Sequence, residues 1–103
     1  MEEVSGKNVN LCHIIANPDR QVLACLAIEH CAIGIVSVSP GEAAFAAANF
    51  LSKAASLEVV FIDRYLGTVL VTGRIAAIET ACRDLMDMLV SRLGFERTAI
   101  TYS

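Results

Sequence analysis

The segment Ser39-Pro40-Gly41-Glu42 divides two stretches of opposite character, and this junction constrains the fold more than any other feature of the chain. Before it, Ala32 to Val38 is an almost continuous apolar run, the pattern of a strand covered on both faces. After it comes a segment crowded with alanine: Ala43, Ala44, Ala46, Ala47, Ala48, Ala54 and Ala55. Alanine favours the helix and lets a neighbouring backbone approach closely. The junction reads as a capping box, with Ser39 as N-cap, Pro40 at N1 and Glu42 at N3. A helix is therefore expected to run to about Ala55, packed on more than one side.

The remaining elements follow from periodicity. Val9 to Ala16 alternates as a strand, with Val9, Leu11, His13 and Ile15 on one face and Asn10, Cys12, Ile14 and Ala16 on the other. Asn17-Pro18-Asp19 ends it as a turn. Arg20 to Glu29 is short and mixed, compatible with a helical turn or two. Leu57 to Ile62 and Thr68 to Thr72 read as a hairpin closed by Asp63 to Gly67. A second helix is expected from Ile75 to Leu93, burying Ile75, Ile78, Cys82, Leu85, Leu89 and Leu93, with Gly94 as the terminating residue. Phe95 to Ser103 adds a short edge strand. The order is β, β-α-β-β-α and a tail, an α+β sandwich with helices on a mainly antiparallel sheet.

With 103 residues the chain has room for one domain, which buries roughly 60–70% of the surface of its unfolded form. Yet 55% of the residues are hydrophobic and the mean hydropathy is +0.58, high for so small a body. A membrane helix needs about 20 apolar residues in succession. Glu29, His30, Glu42, Asn49, Lys53, Glu58, Asp63 and Arg64 interrupt every run of that length. The apolar excess is thus expected to be buried between copies of the chain. A net charge of −3 and a pI near 5.2 argue against a nucleic-acid partner. Met1-Glu2-Glu3 is acidic where a secretion signal carries positive charge, so a cytosolic protein is expected.

No constellation for catalysis emerges. Cys12, Cys25, Cys31 and Cys82 lack the paired spacing of a zinc site and read as reduced core residues. Cys12 and His13 point to opposite faces of one strand, and His30-Cys31 has the same difficulty if extended. His13 is expected to be a hydrogen-bonded structural residue. Asp63-Arg64 has the charges for acid–base work but sits at a hairpin tip, and Glu79, Arg83, Asp84 and Asp87 occupy the polar side of the second helix. Neither a phosphate loop nor a nucleophile elbow is present. No catalytic residue, metal or cofactor is assigned.

Four blocks, in order, resemble a known family. They are Val-Ser-Gly-Lys-Asn-Val-Asn-Leu-Cys-His-Ile-Ile-Ala-Asn-Pro (4–18), Ala-Ile-Gly-Ile-Val-Ser-Val-Ser-Pro-Gly-Glu (32–42), Leu-Ser-Lys-Ala-Ala (51–55) and Phe-Ile-Asp-Arg-Tyr-Leu-Gly (61–67). Together they are similar to the circularly permuted shell proteins of propanediol- and ethanolamine-utilising bacterial microcompartments, those built on the BMC domain. The resemblance implies a ferredoxin-like sandwich and a hexameric disc that tiles with other shell proteins around encapsulated enzymes in the bacterial cytoplasm. In unpermuted relatives the strand found here at 9–16 lies near the C-terminus.

By matching position, Asp63, Arg64, Tyr65, Leu66 and Gly67 ring a central opening for small metabolites, and Lys53 sits at the disc edge. Asn17 stands where unpermuted relatives often carry an edge arginine, and Asn49 replaces an aspartate frequent four residues before the lysine. Residues 9–103 then form the permuted domain, with 1–8 as an extension. In relatives this extension builds a small barrel over the opening. Here it reaches at most about 26 Å, and Glu2 and Glu3 of six copies would crowd like charges together. A mobile terminus without a barrel is expected. The rival reading is a cytosolic ligand-sensing module, which needs a convergent polar pocket and forms smaller oligomers. An open helical assembly is the other outcome, since head-to-tail contacts make filaments when the rotation does not close.

Overall fold

A computed structural model describes residues 7–17, 32–54 and 57–103. The expected turns at 20–29, His30, Cys25, Cys31, Ala55 and most of the 1–8 extension lie outside these residues. The elements are β1 (Asn8–Ile15), β2 (Ala32–Ser39), α1 (Ala43–Ser52), β3 (Leu57–Asp63), β4 (Thr68–Gly73), α2 (Ile75–Leu93) and β5 (Thr101–Tyr102). The strands form one sheet in the order β3-β4-β2-β1-β5. All neighbours are antiparallel except β1 and β5. Both helices pack on one face, giving the expected α+β sandwich.

The core lies between that face and the helices. Cys12 and Ile14 of β1, Ala32, Val36 and Val38 of β2, and Val69 and Val71 of β4 meet Ala44, Ala47, Ala48 and Leu51 of α1. Ile78, Ala81, Cys82, Leu85, Met86 and Leu89 of α2 close it. Gly34 lets α2 approach β2, because a Cβ there would stand 2.8 Å from Ile78 Cγ2. Two bulges alter the expected alternation. The register slips between Val9 and Leu11, and Val9 joins the core alongside Cys12. A second slip between Val59 and Phe61 puts Val59 and Ile62 on the helix side and turns Phe61 away.

The capping box is not formed. Ser39 remains in β2, where its Oγ accepts a bond from Asn10 Nδ2 at 2.7 Å. Glu42 is the N-cap and makes no side-chain cap bond. Instead the amides of Ala43, Ala44 and Phe45 donate to the carbonyls of Pro40, Gly41 and Glu42, closing a tight first turn with backbone alone. Helix α2 has the expected limits, and Gly94 ends it in the left-handed conformation at φ 73°. Its buried stripe is shorter than expected: Ile75 and Leu93, one at each end, are exposed. Residues 96–103 run beside β1. Regular pairing is confined to Thr101 and Tyr102, with an isolated bridge between Asn8 and Glu96.

Candidate functional site

The tip of the β3–β4 hairpin is exposed yet tightly fixed. Asp63 Oδ1 accepts bonds from the amides of Tyr65 (2.9 Å) and Leu66 (3.1 Å), so its carboxylate ties the turn rather than pairing with Arg64. Gly67 has φ 71°, which disfavours any side chain, and a Cβ there would lie 2.1 Å from the carbonyl oxygen of Val38. That approach brings the Gly67 carbonyl within 2.8 Å of the Val38 amide. On the other side, a Cβ on Gly41 would collide with the Arg64 carbonyl oxygen at 2.1 Å. The hairpin tip thus rests backbone on backbone against the start of α1. The Pro-Gly pair in the sequence serves this contact as well as the helix start.

Within the tip, Arg64 donates to the Tyr65 hydroxyl at 3.1 Å and its guanidinium stands 5.1 Å from the Tyr65 ring centre. Tyr65 is 83% and Leu66 71% exposed. Arg64, Tyr65 and Leu66 therefore face outward on a compact turn held by Asp63 and the buried Gly67, and no carboxylate among the described residues pairs with the Arg64 guanidinium.

Lys53 and Asn49 come together at the other end of α1, about 15 Å away along the helix axis. Lys53 is the C-cap, its amide donating to the Phe50 and Leu51 carbonyls, and its side chain is exposed. Both residues line a surface cleft of about 490 Å³ between α1 and α2. Phe50, Met88 and Leu93 give it apolar walls, while Arg92, Asp87 and Ser91 complete its rim. Asp87 is occupied by Arg97 at 3.0 Å. Asn17, exposed just beyond β1, does not line this cleft. A second, shallower depression contains Phe45, Ala48, Val59 and Ile62.

The residues weighed for chemistry are dispersed. The ring nitrogens of His13 bond Thr101 Oγ1 (2.6 Å) and Ser103 Oγ (2.9 Å), fastening the C-terminal strand. Glu79 accepts a short bond from the Tyr102 hydroxyl, which raises the Tyr102 pKa because ionisation would remove the donor. Cys12 and Cys82 are buried and reduced. Among the described residues, no three His, Cys, Asp or Glu side chains gather around a common metal position, and no helix is long and apolar enough to cross a membrane. The contacts of the C-terminal strand escaped sequence reasoning, since nothing local marks Thr101 and Ser103 as partners of His13.

Residues 32–95 match the BMC domain family. The bacterial microcompartment shell protein CutR of Streptococcus intermedius is 40% identical over 103 residues, covering 99% of this chain and 89% of CutR. The shell protein PduU of Salmonella typhimurium is 35% identical, covering 97% of this chain and 88% of its own. A flat hexamer of CutR superimposes with a TM-score of 0.91 at 38% identity, over 100% of this chain and 95% of that one. A screw form of CutR, with a 41.9 Å pitch, gives the same TM-score at 37% identity, over 96% and 100%. Strand β1 precedes the matched domain, in keeping with the permuted order. The chain belongs to the BMC-domain family of bacterial microcompartment shell proteins.

Proposed function

We propose that this chain is a structural subunit of a bacterial microcompartment shell, six copies closing into a tile, and that it has no catalytic role. The observation that carries this reading is the superposition of the whole chain on a subunit of the flat CutR hexamer. The apolar surplus supports it, because Phe45, Phe61, Ile62, Tyr65 and Leu66 remain exposed on the single subunit. Residues 9–103 are the permuted domain, other shell proteins and encapsulated enzymes are its partners, and the compartment lies in the bacterial cytoplasm.

In this reading the 63–67 tips surround the central opening. The Asp63 carboxylate keeps its charge but is held back in its own turn, whereas Arg64 is exposed at the tip, so a guanidinium nearer the axis than the carboxylate gives the rim a positive potential. Such a rim favours small anions and polar metabolites. Lys53, with Asn49, meets the adjoining tile at the edge; its stem covers apolar surface while the ammonium seeks carbonyls across the seam. Asn17 is assigned to the same seam. The positions of tip and Lys53 at opposite ends of α1 support separate roles at axis and rim.

Light scattering coupled to size exclusion, at micromolar concentration, tests the assembly. About six subunits per particle is the expected result, and larger species that dissociate to this unit agree with tiling. A stable monomer sinks the proposal; a dimer to tetramer points to the ligand-sensing alternative.

A further inference from the structure

The C-terminal end of a helix ordinarily repels anions, because its last carbonyls are unpaired and carry negative charge. The cleft between α1 and α2 lies beside two such ends, yet several of their carbonyls are already occupied. The Asn49 carbonyl accepts from Ser52 Oγ at 2.9 Å, and those of Phe50 and Leu51 accept from the amides of Lys53 (3.2 Å) and Ala54 (3.1 Å). In α2 the Leu89 carbonyl accepts from the Phe95 amide at 3.1 Å, and the Leu93 carbonyl from Lys7 Nζ at 3.3 Å. Lys53 and Arg92 line the cleft, and none of these caps uses their side chains. The one carboxylate of the lining, Asp87, is held by Arg97 at 3.0 Å. Set against Asp87, the cations Lys53, Arg92 and Arg97 leave this place positive on a chain whose net charge is −3.

The lining has two chemical halves. Asn49 is one helical turn from Lys53, and Ser91 adjoins Arg92, so neutral donors accompany both cations. Phe50, Met88 and Leu93 form an apolar wall, of which Phe50 and Met88 are half-buried and packed against the core. The volume of about 490 Å³ is within the range of small-molecule sites, roughly 300–1,000 Å³.

We infer that this cleft binds a small phosphate monoester with an apolar body. The phosphate, close to a dianion at neutral pH, meets the charges of Lys53 and Arg92. Arg92 grips two of its oxygens, and Asn49 and Ser91 donate to the others. The apolar body lies on Phe50, Met88 and Leu93, which removes surface from water. A neutral molecule forgoes the charges, and bare phosphate forgoes the wall. The site is built from one subunit, so it depends neither on closure of a ring nor on the 63–67 tip.

The test adds phenyl phosphate to the unaltered protein, below the concentration at which sheets form, and follows saturation transfer to its ring protons by NMR. Transfer is expected at millimolar ligand. As competitors, inorganic phosphate and benzoate should each require roughly tenfold higher concentration, and benzyltrimethylammonium should not compete. Arg92→Met and Lys53→Met should each weaken binding about threefold to tenfold. Arg74→Met, at the opposite end of α2, should leave it unchanged. Absence of transfer, inorganic phosphate competing as well as phenyl phosphate, or an equal loss in Arg74→Met would each overturn the inference. Should a variant not fold, the competition series on the unaltered protein decides by itself: the stated order supports the site, and any other order refutes it.

Discussion

Strands β2 and β3 are similar in apolar content and opposite in environment. β2 lies between β4 and β1 under both helices, and Ala32, Ile33, Val36 and Val38 are all buried. β3 is at the margin of the sheet, and Phe61 and Ile62 remain 51% and 39% exposed. The same contrast divides α1, whose Ala44, Ala47, Ala48 and Leu51 are buried while Phe45 on its outer side is open. Hydrophobicity therefore serves two ends here. One set of side chains holds the subunit together, and the other, along β3 and the outside of α1, is left exposed on it, the surface that the proposed assembly gives to other copies. Leaving several large apolar side chains exposed on one margin would invite nonspecific association if no partner covered them.

The contrast is most severely tested in the core. Val36→Asp places a carboxylate without a partner beneath the helices, a loss on the order of 3–5 kcal/mol or more. Far-UV circular dichroism should show an unfolded or aggregated chain. A soluble variant with the parent's melting temperature would mean that β2 is not the central strand.

The same substitution should act differently on the margin. With Phe45→Asp and Ile62→Asp together, the subunit should keep its fold and lose its ring, because both side chains are already partly solvated within it. Light scattering is expected to report the monomer mass with an unchanged secondary-structure spectrum. Rings of undiminished mass would place the covered surface elsewhere.

Lys53→Asp moves one step further out. It should leave individual tiles intact while reducing the sheets or tubes they form, as seen by negative-stain microscopy. Equal sheet formation by variant and parent would remove Lys53 from the seam.

The smallest effect concerns the C-terminal strand. Because the Tyr102 pKa is raised above its ordinary value of 10.0, the bond to Glu79 is present at neutral pH. Its contribution is complete below the unfolded value and is lost as pH rises through the folded one. Ultraviolet titration should therefore show one tyrosine ionising late, and Glu79→Gln should bring it back toward the ordinary range. No change in that variant would break the assignment.

These elements differ in how plainly the sequence announces them. Helix α2 is legible because Ile78, Cys82, Leu85 and Leu89 repeat with the helical period and Gly94 stops it. The hairpin around Asp63 and Gly67 is legible because turn chemistry is local. The bulges in β1 and β3 are not, since an inserted residue leaves the composition unchanged and only pairing with the next strand reveals it. Ser39 misleads for a similar reason. A serine three residues before glutamate satisfies a capping pattern, but Gly41 has to lie against the Arg64 backbone, and that tertiary contact fixes where the helix starts. Within the candidate site, the tip residues and Lys53 are assigned by resemblance alone. The engagement of Asp63 by its own turn, rather than by Arg64, emerges only with the side chains in place.

The most direct measurement is cryo-electron microscopy of the purified particles, with class averages taken down the particle axis. The account predicts six subunits around an opening, with the 63–67 tips facing the axis and the Phe45–Ile62 depression covered by another copy. A continuous screw, as in one form of CutR, keeps the covered margin but removes the closed opening. Particles in which β3 and the outer side of α1 face solvent would contradict the account.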